Sequence, residues 1–420
     1  TNNCDISDTF TITQPPPLLL TAVLSDFNGF NISCKGENDG FINVTASGGL
    51  LVTDDNYTYA WTQSNAGSGV DPNTEDQTGL TAGTYTVLIT DSNDCTLEKT
   101  YQIIEPDTIV FTSVVSNYNG FGVSFAGASD GTITISEQSG GAPDADGNYT
   151  YEWSSSDATG YDPTSQNQTG LTAGTYTLKL TDSNGCNISK SFTLTEPDEL
   201  IISLGTNPQN ILCYGDKTGL IKAIILQPSV PPYKFILNGT NYLGVQIPTE
   251  TISDITALSY TFSVQAGNYY IEVVDQNGAT KTTDVKIYTQ PDEALAITEI
   301  ISNISCNGAL DGAIDISVTG GTLTGTNYTY SWTSSVGSSD LATTQTAEDQ
   351  TGLGPGEYTV IVEDETGVCT ITKTYILTEP EKIVYSLINK KDITCFGDND
   401  GSIEISVSKG TGAYVYEWTL

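Results

Sequence analysis

The chain has 420 residues, of which 51 are acidic and 14 basic, for a net charge of −37; 37% are apolar and only 15% charged, against a usual quarter. All 14 basic residues are lysine, and Arg, His and Met are absent. Such a surface repels nucleic acid phosphates and anionic lipid head groups. The missing imidazole excludes His-based triads and His metal sites, and no apolar stretch approaches the roughly 20 residues that span a bilayer. The abundance of Thr, Ser, Asn, Gly and Tyr points to strands, with no convincing amphipathic helix.

In chain order, one pattern returns again and again. Residues 1–16 read as the tail of a repeat. Residues 17–107 then carry Cys34 and Gly36 in a loop closed by Asp39 and Gly40, an aromatic strand with Tyr59 and Trp61, and a strand over 84–90 that opens on Gly83 and Tyr85. An Asp-rich turn from Asp91 to Cys95 and a joint at Glu105, Pro106 and Asp107 complete the unit. The same order recurs over 108–198, with Trp153, Tyr176, Asp182 and Cys186, and over 293–381, with Cys306, Trp332, Tyr358 and Cys369. The unit at 199–292 is the divergent one, with Phe235 for Trp, Thr218 for Asp and Ala279 for Cys. Residues 382–420 begin a further unit with Cys395 and Trp418. Because the sequence starts and stops inside units and lacks an initiator Met, it is expected to be a segment of a longer chain. Proline in each joint fixes φ and removes a donor, so each joint is expected to be a short, stiff hinge.

Spacings of about 90 residues between equivalent aromatics suit one sandwich domain each. Short strands separated by Gly, Asn and Asp turns are the sandwich signature. Trp61 and its equivalents are expected in the core, and the Gly-x-Tyr step looks like a tyrosine corner. Asn184-Gly185 and Asn277-Gly278 are expected to form hairpin turns, since both residues tolerate positive φ. The expected fold is all-β: immunoglobulin-like sandwiches in tandem, stacked end to end as a rod.

The succession Cys-x-Gly-x-x-Asp-Gly, Tyr-x-Trp, Leu-x-x-Gly-x-Tyr and Asp-x-x-Gly-Cys resembles the SprB-type repeat, which fills gliding-motility surface adhesins of Bacteroidetes. The resemblance covers essentially all 420 residues. It implies export by the type IX system, display on the bacterial outer-membrane surface, and adhesion coupled to movement. The function it implies is a structural stalk, not an enzyme. Its partners would be other repeats of the same long chain, with external surfaces or polysaccharide bound by regions outside this segment. A glycan-binding repeat and a surface-layer or filament subunit are the alternatives; alternation of the Tyr and Trp positions, as core residues require, favours the stalk.

Motifs that would carry chemistry are few. No phosphate-binding loop is present, and Gly352 to Gly356 lacks the strand-turn-helix setting of a dinucleotide site. No cofactor is expected apart from calcium. Glu37, Asp39, Glu105, Asp107 and Asp182 offer hard oxygen ligands at one junction; the competing reading is that such residues cap turns. Sequons at Asn56, Asn148 and Asn327 read as strand composition.

The eight cysteines occupy two positions per repeat: after the first strand (Cys34, Phe125, Cys213, Cys306, Cys395) and in the last hairpin (Cys4, Cys95, Cys186, Ala279, Cys369). Pairing within repeats strands Cys186 and Cys213, and pairing each hairpin cysteine with the following repeat's first cysteine strands Cys95 and Cys306. Pairing each first cysteine with the hairpin of the next repeat gives Cys34–Cys186 and Cys213–Cys369, and sets Phe125 opposite Ala279. Cys4, Cys95, Cys306 and Cys395 then pair outside the segment. In a seven-strand sandwich stacked end to end, those two loops meet.

Overall fold

The computed structural model describes residues 5–52, 56–64, 67–206, 210–323, 325, 327–335, 341 and 345–419. Its regular elements are β-strands, with no α-helix among the described residues. The first sandwich contains β1 (Leu19–Leu24), β2 (Gly40–Ser47), β3 (Thr58–Ser64), β4 (Gln77–Leu80), β5 (Gly83–Thr90) and β6 (Thr96–Ile103). These form two antiparallel three-stranded sheets, ordered β1-β2-β4 and β3-β5-β6. Among its described residues the first sandwich thus has six strands where the immunoglobulin analogy suggests seven. The run from Pro72 to Gln77, in the stretch joining the two sheets ahead of β4, is held by side chains instead: Gln77 accepts from the Asp71 amide at 2.8 Å and donates to the Asp71 carbonyl at 2.8 Å.

Alternation explains the strands. In β5, Tyr85, Val87 and Ile89 are buried while the residues between them face outward, the period-two pattern of a sheet with one covered face. Trp61, in register with Val87, fills the space between the sheets and donates its Nε1 hydrogen to the Thr74 carbonyl at 3.0 Å. Trp153, Phe235 and Trp332 occupy the same place in three further cores and are at most 3% exposed. The Tyr85 hydroxyl donates to the Thr81 carbonyl at 2.6 Å, and Tyr176 and Tyr358 repeat that contact with Thr172 and Gly354 at 2.8 and 2.9 Å. This is a tyrosine corner at the start of the penultimate strand.

The second sandwich, β7 (Val110–Val115) through β12 (Asn187–Leu194), and the fourth, β21 (Ala296–Ser302) through β26 (Thr370–Leu377), repeat the order strand for strand. The third departs where its sequence does. A long hairpin of β15 (Tyr233–Asn241) and β16 (Glu250–Ile255) widens one sheet, and β18 (Gly267–Val274) pairs with two short strands, β19 (Thr280–Thr282) and β20 (Lys286–Tyr288). After the fourth sandwich, β27 (Val384–Lys391) pairs with β28 (Ser402–Ser408), and Trp418 is 61% exposed. The strands equivalent to β25 (Gly356–Glu363) and β26, which cover Trp332, have no counterpart after Trp418 in the 420 residues.

The hairpin turns differ from expectation. At 182–186 only Gly185 has positive φ, at 88°, as does Gly278 at 94° in the third sandwich. The loop is therefore three residues long, a right-handed turn followed by one left-handed residue. The Asp182 carboxylate explains this: its Oδ1 accepts from the amides of Asn184 at 3.0 Å and Cys186 at 2.9 Å, which holds Asn184 right-handed. Paired positive-φ Asn-Gly turns occur elsewhere, at Asn28-Gly29 and Asn119-Gly120, where Phe27 pairs with Phe30 and Tyr118 with Phe121.

The chain divides into two compact units. One comprises Thr1–Glu199 together with Asn277–Ala279, and the other Leu200–Gln276 with Thr280–Leu420.

Candidate functional site: the repeat junction

In the first unit the loop after β1 meets the hairpin between β11 (Gly174–Thr181) and β12. Cys34 and Cys186 are joined by a disulfide, with Cα atoms 5.6 Å apart across 152 residues of sequence. Around it lies a polar clamp. Asn184 Nδ2 donates to the carbonyls of Phe27 and Ser33, both at 3.1 Å. Asn28 Nδ2 in turn donates to Asn184 Oδ1 at 2.6 Å and to Ser183 Oγ at 3.0 Å. In the second unit, Cys213 and Cys369 are joined across 156 residues, with Cα atoms 5.4 Å apart. There the Thr322 hydroxyl donates to the Leu212 carbonyl at 3.0 Å. Cys95, Cys306 and Cys395 are exposed and free, and Cys4 lies outside the described residues.

Each half of the junction is stiffened within its own sandwich. Reading the Glu-Pro joints as hinges overlooked what the acidic residue does. Glu105 forms an ion pair with Lys35 and accepts from the Gly36 amide at 2.7 Å, tying the joint to the cysteine loop. Glu196, Gln290 and Glu379 accept from Gly127, Gly215 and Gly308 in the same way, at 2.7, 3.0 and 2.6 Å. The recurrence of Glu or Gln before Pro, paired with Gly two residues after the cysteine position, was the signal available in the sequence. Lys35 and the Gly36 amide hold the Glu105 carboxyl below its usual range, the lysine having the larger effect.

The other recurrent acids serve backbone amides too. Asp39 Oδ1 accepts from Ser33 N at 3.1 Å, and Asp130 and Asp311 do the same for Ser124 and Ser305. The hairpin aspartates reach across to the loop between the second and third strands: Asp91 to Leu50 at 2.8 Å, Asp182 to Ala142 at 2.7 Å, Asp364 to Thr322 at 2.8 Å. These three are at most 5% exposed, and each has its buried carboxyl oxygens satisfied by N–H groups. Accordingly Asp91 is held below the usual carboxylate range, chiefly by the amides of Leu50 and Cys95.

Of the residues offered for calcium, Asp39, Glu105 and Asp182 are engaged in this way. Glu37 and Asp107 line a cleft beside the Cys34–Cys186 bridge together with Lys35. Among the described residues no group of three or more acidic, cysteine or histidine side chains is arranged to hold a metal ion.

The fold and the junction together define a class: immunoglobulin-like sandwiches in tandem, linked by disulfides. Such bonds persist in oxidising surroundings, which suits a secreted or cell-surface protein. More particularly, three segments, 30–66, 298–337 and 387–419, match the family model of the SprB repeat. The first of these runs from the loop before Cys34 through the strand that carries Trp61. No curated protein matches the chain. Among solved structures, the three N-terminal domains of the highly immunogenic outer capsid protein of bacteriophage RB49 are 13% identical, with a TM-score of 0.30, over 65% of this chain and 97% of that one. Cadherin domains 3–6 of protocadherin gamma B2 are 12% identical over 85% and 98%, with a TM-score of 0.24. Domains 4–9 of the surface layer protein SbsC are 14% identical over 86% and 67%, with a TM-score of 0.22.

Proposed function

We propose that this chain is part of the stalk of a cell-surface adhesin, exported to the bacterial outer surface and used in gliding motility and attachment. The single observation that carries the reading is the placement of the disulfides: each joins a sandwich to the next, at Cys34–Cys186 and Cys213–Cys369, and neither closes a sandwich on itself. A bond within a domain protects that domain, whereas a bond across a junction carries load from one domain to the next. The matches to the SprB repeat support the adhesin context. The strong negative charge, −37, suits a long exposed molecule that must stay soluble and not self-associate. In this reading the repeats are non-enzymatic, their partners are one another, and contact with external surfaces falls to other parts of the protein.

The test is made on cells. Antibody against this segment, viewed by electron microscopy, should label filaments that project from the cell surface, and in-frame deletion of the segment should reduce attachment and gliding. Labelling of a continuous lattice, or unaltered attachment and gliding after deletion, would overturn the proposal.

A further inference from the structure

Hairpin tips and first loops match in pairs. Where the tip carries Asn184, the loop it meets carries an aromatic-Asn-Gly turn, Phe27-Asn28-Gly29. Within the first unit the pattern recurs at Asn277: Asn119 Nδ2 donates to Asn277 Oδ1 at 2.5 Å, and Asn277 Nδ2 donates to the Tyr118 carbonyl at 3.2 Å. Where the tip carries Thr366 instead, the sequence from Ser203 to Cys213 holds no Asn-Gly pair. The Thr366 hydroxyl turns inward, onto Asp364 Oδ1 at 2.5 Å.

The chemistry explains the match. A primary amide offers both an acceptor and two donor hydrogens, so Asn184 accepts once and donates twice across the junction. The opposing asparagine reaches it from a turn with positive φ, 52° at both Asn28 and Asn119, a conformation that Asn tolerates far better than most residues. At the Asn119–Asn277 contact, Phe125 and Ala279 stand in the cysteine positions, so the amide pair forms with or without a disulfide beside it.

We propose that this amide pair is the address of a junction: an Asn-tipped hairpin selects a repeat whose first loop carries an aromatic-Asn-Gly turn and positions it before any disulfide closes. The hairpin at 91–95 presents the same tip, with Asn93 and Cys95 both exposed. Its partner is therefore another repeat bearing that turn and a cysteine. The address acts at the junction, whatever the whole protein does on the cell.

Disulfide formation reports the effective concentration of two thiols, so the test is redox titration of the full chain in glutathione buffer, read by peptide mapping. Asn184→Ala removes three hydrogen bonds, and Asn28→Gly removes the opposing amide while keeping the positive-φ turn. Each should lower the equilibrium constant for Cys34–Cys186 by about tenfold or more. Cys213–Cys369 in the same molecules, which lacks the amide pair, should stay constant and so reports that the variants are folded. Cys34–Cys186 unchanged within about twofold would overturn the proposal. As a second arm, Phe125→Cys with Ala279→Cys should close a bridge that Asn277→Ala weakens by a similar factor; indifference to Asn277 overturns it equally. For the exposed tip, an activated-thiol peptide of residues 26–36 should label Cys95 ahead of Cys306 and Cys395, with the preference lost in Asn93→Ala. Equal labelling of the three would refute the assignment of that tip.

Discussion

Under tension applied at the chain ends, force entering through β1 reaches Cys34, crosses to Cys186 and leaves through β12, so the residues between them bear no load. The bond spans 152 residues, which at about 3.4 Å per extended residue hides roughly 500 Å of chain. The Cys213–Cys369 bond spans 156 residues and hides about the same again. A chain of 420 residues could extend to about 1,400 Å, so the oxidised protein should yield only about 400 Å before its covalent limit. Single-molecule pulling on the intact chain, with and without a reductant, measures this directly. Reduction, or Cys34→Ser combined with Cys213→Ser, should restore close to the full length in steps of one sandwich. Extension of the oxidised chain far beyond about 400 Å would refute the load path. The same bonds should matter without force, because closing a loop of about 150 residues removes roughly 5 kcal/mol of unfolded-chain entropy on the chain-entropy account.

Three further outcomes are expected. Trp332→Ala should destabilise the fourth sandwich by about 3–5 kcal/mol in denaturant titration, because it empties the core and removes the indole hydrogen bond to the Ala347 carbonyl at 2.9 Å; a loss below about 1 kcal/mol would contradict that packing. Glu105→Ala should cost about 1 kcal/mol while Glu105→Gln stays near neutral, since Gln290 already fills the same role toward Gly215; equal losses for the two variants would show that charge, not the amide contact, is what counts. Finally, Asp91, Asp311 and Asp400 all have folded carboxyls below their usual range, Asp400 at about 2 through Lys391 and Thr394. Depressed folded values mean that their stabilisation is complete above the unfolded pKa near 4 and is lost as pH falls through the folded values. Melting temperature should therefore drop below about pH 4, less steeply in Asp91→Asn; a curve identical in wild type and variant would exclude Asp91 as a contributor.

Much of the fold is legible in the sequence alone. The period-two runs such as 84–90, the recurring Trp and Tyr, and the Gly- and Asp-rich turns specify antiparallel sandwiches, because burial on one face and turn chemistry are local properties of sequence. Trp61, Trp153, Phe235 and Trp332 can be assigned to cores by repetition alone. Composition likewise suffices to exclude imidazole chemistry, and the charge of −37 argues against nucleic acid as a partner.

What only the tertiary structure decided are the relations between residues far apart in the chain. The tie from Glu105 to Gly36 spans 69 residues, and the contact of Asn184 with Phe27 spans 157. Recurrence marks Glu105 and Gly36 as positions kept together in every repeat, but that they touch depends on how two separately specified loops are brought together in space. The hairpin at 182–186 makes the same point on a small scale. Asn-Gly alone favours a two-residue turn with both φ values positive, but the buried Asp182 carboxylate, satisfied by the amides of Asn184, Cys186 and Ala142, selects the three-residue form. Local preference offered two turns, and the need to satisfy buried polar oxygens chose between them.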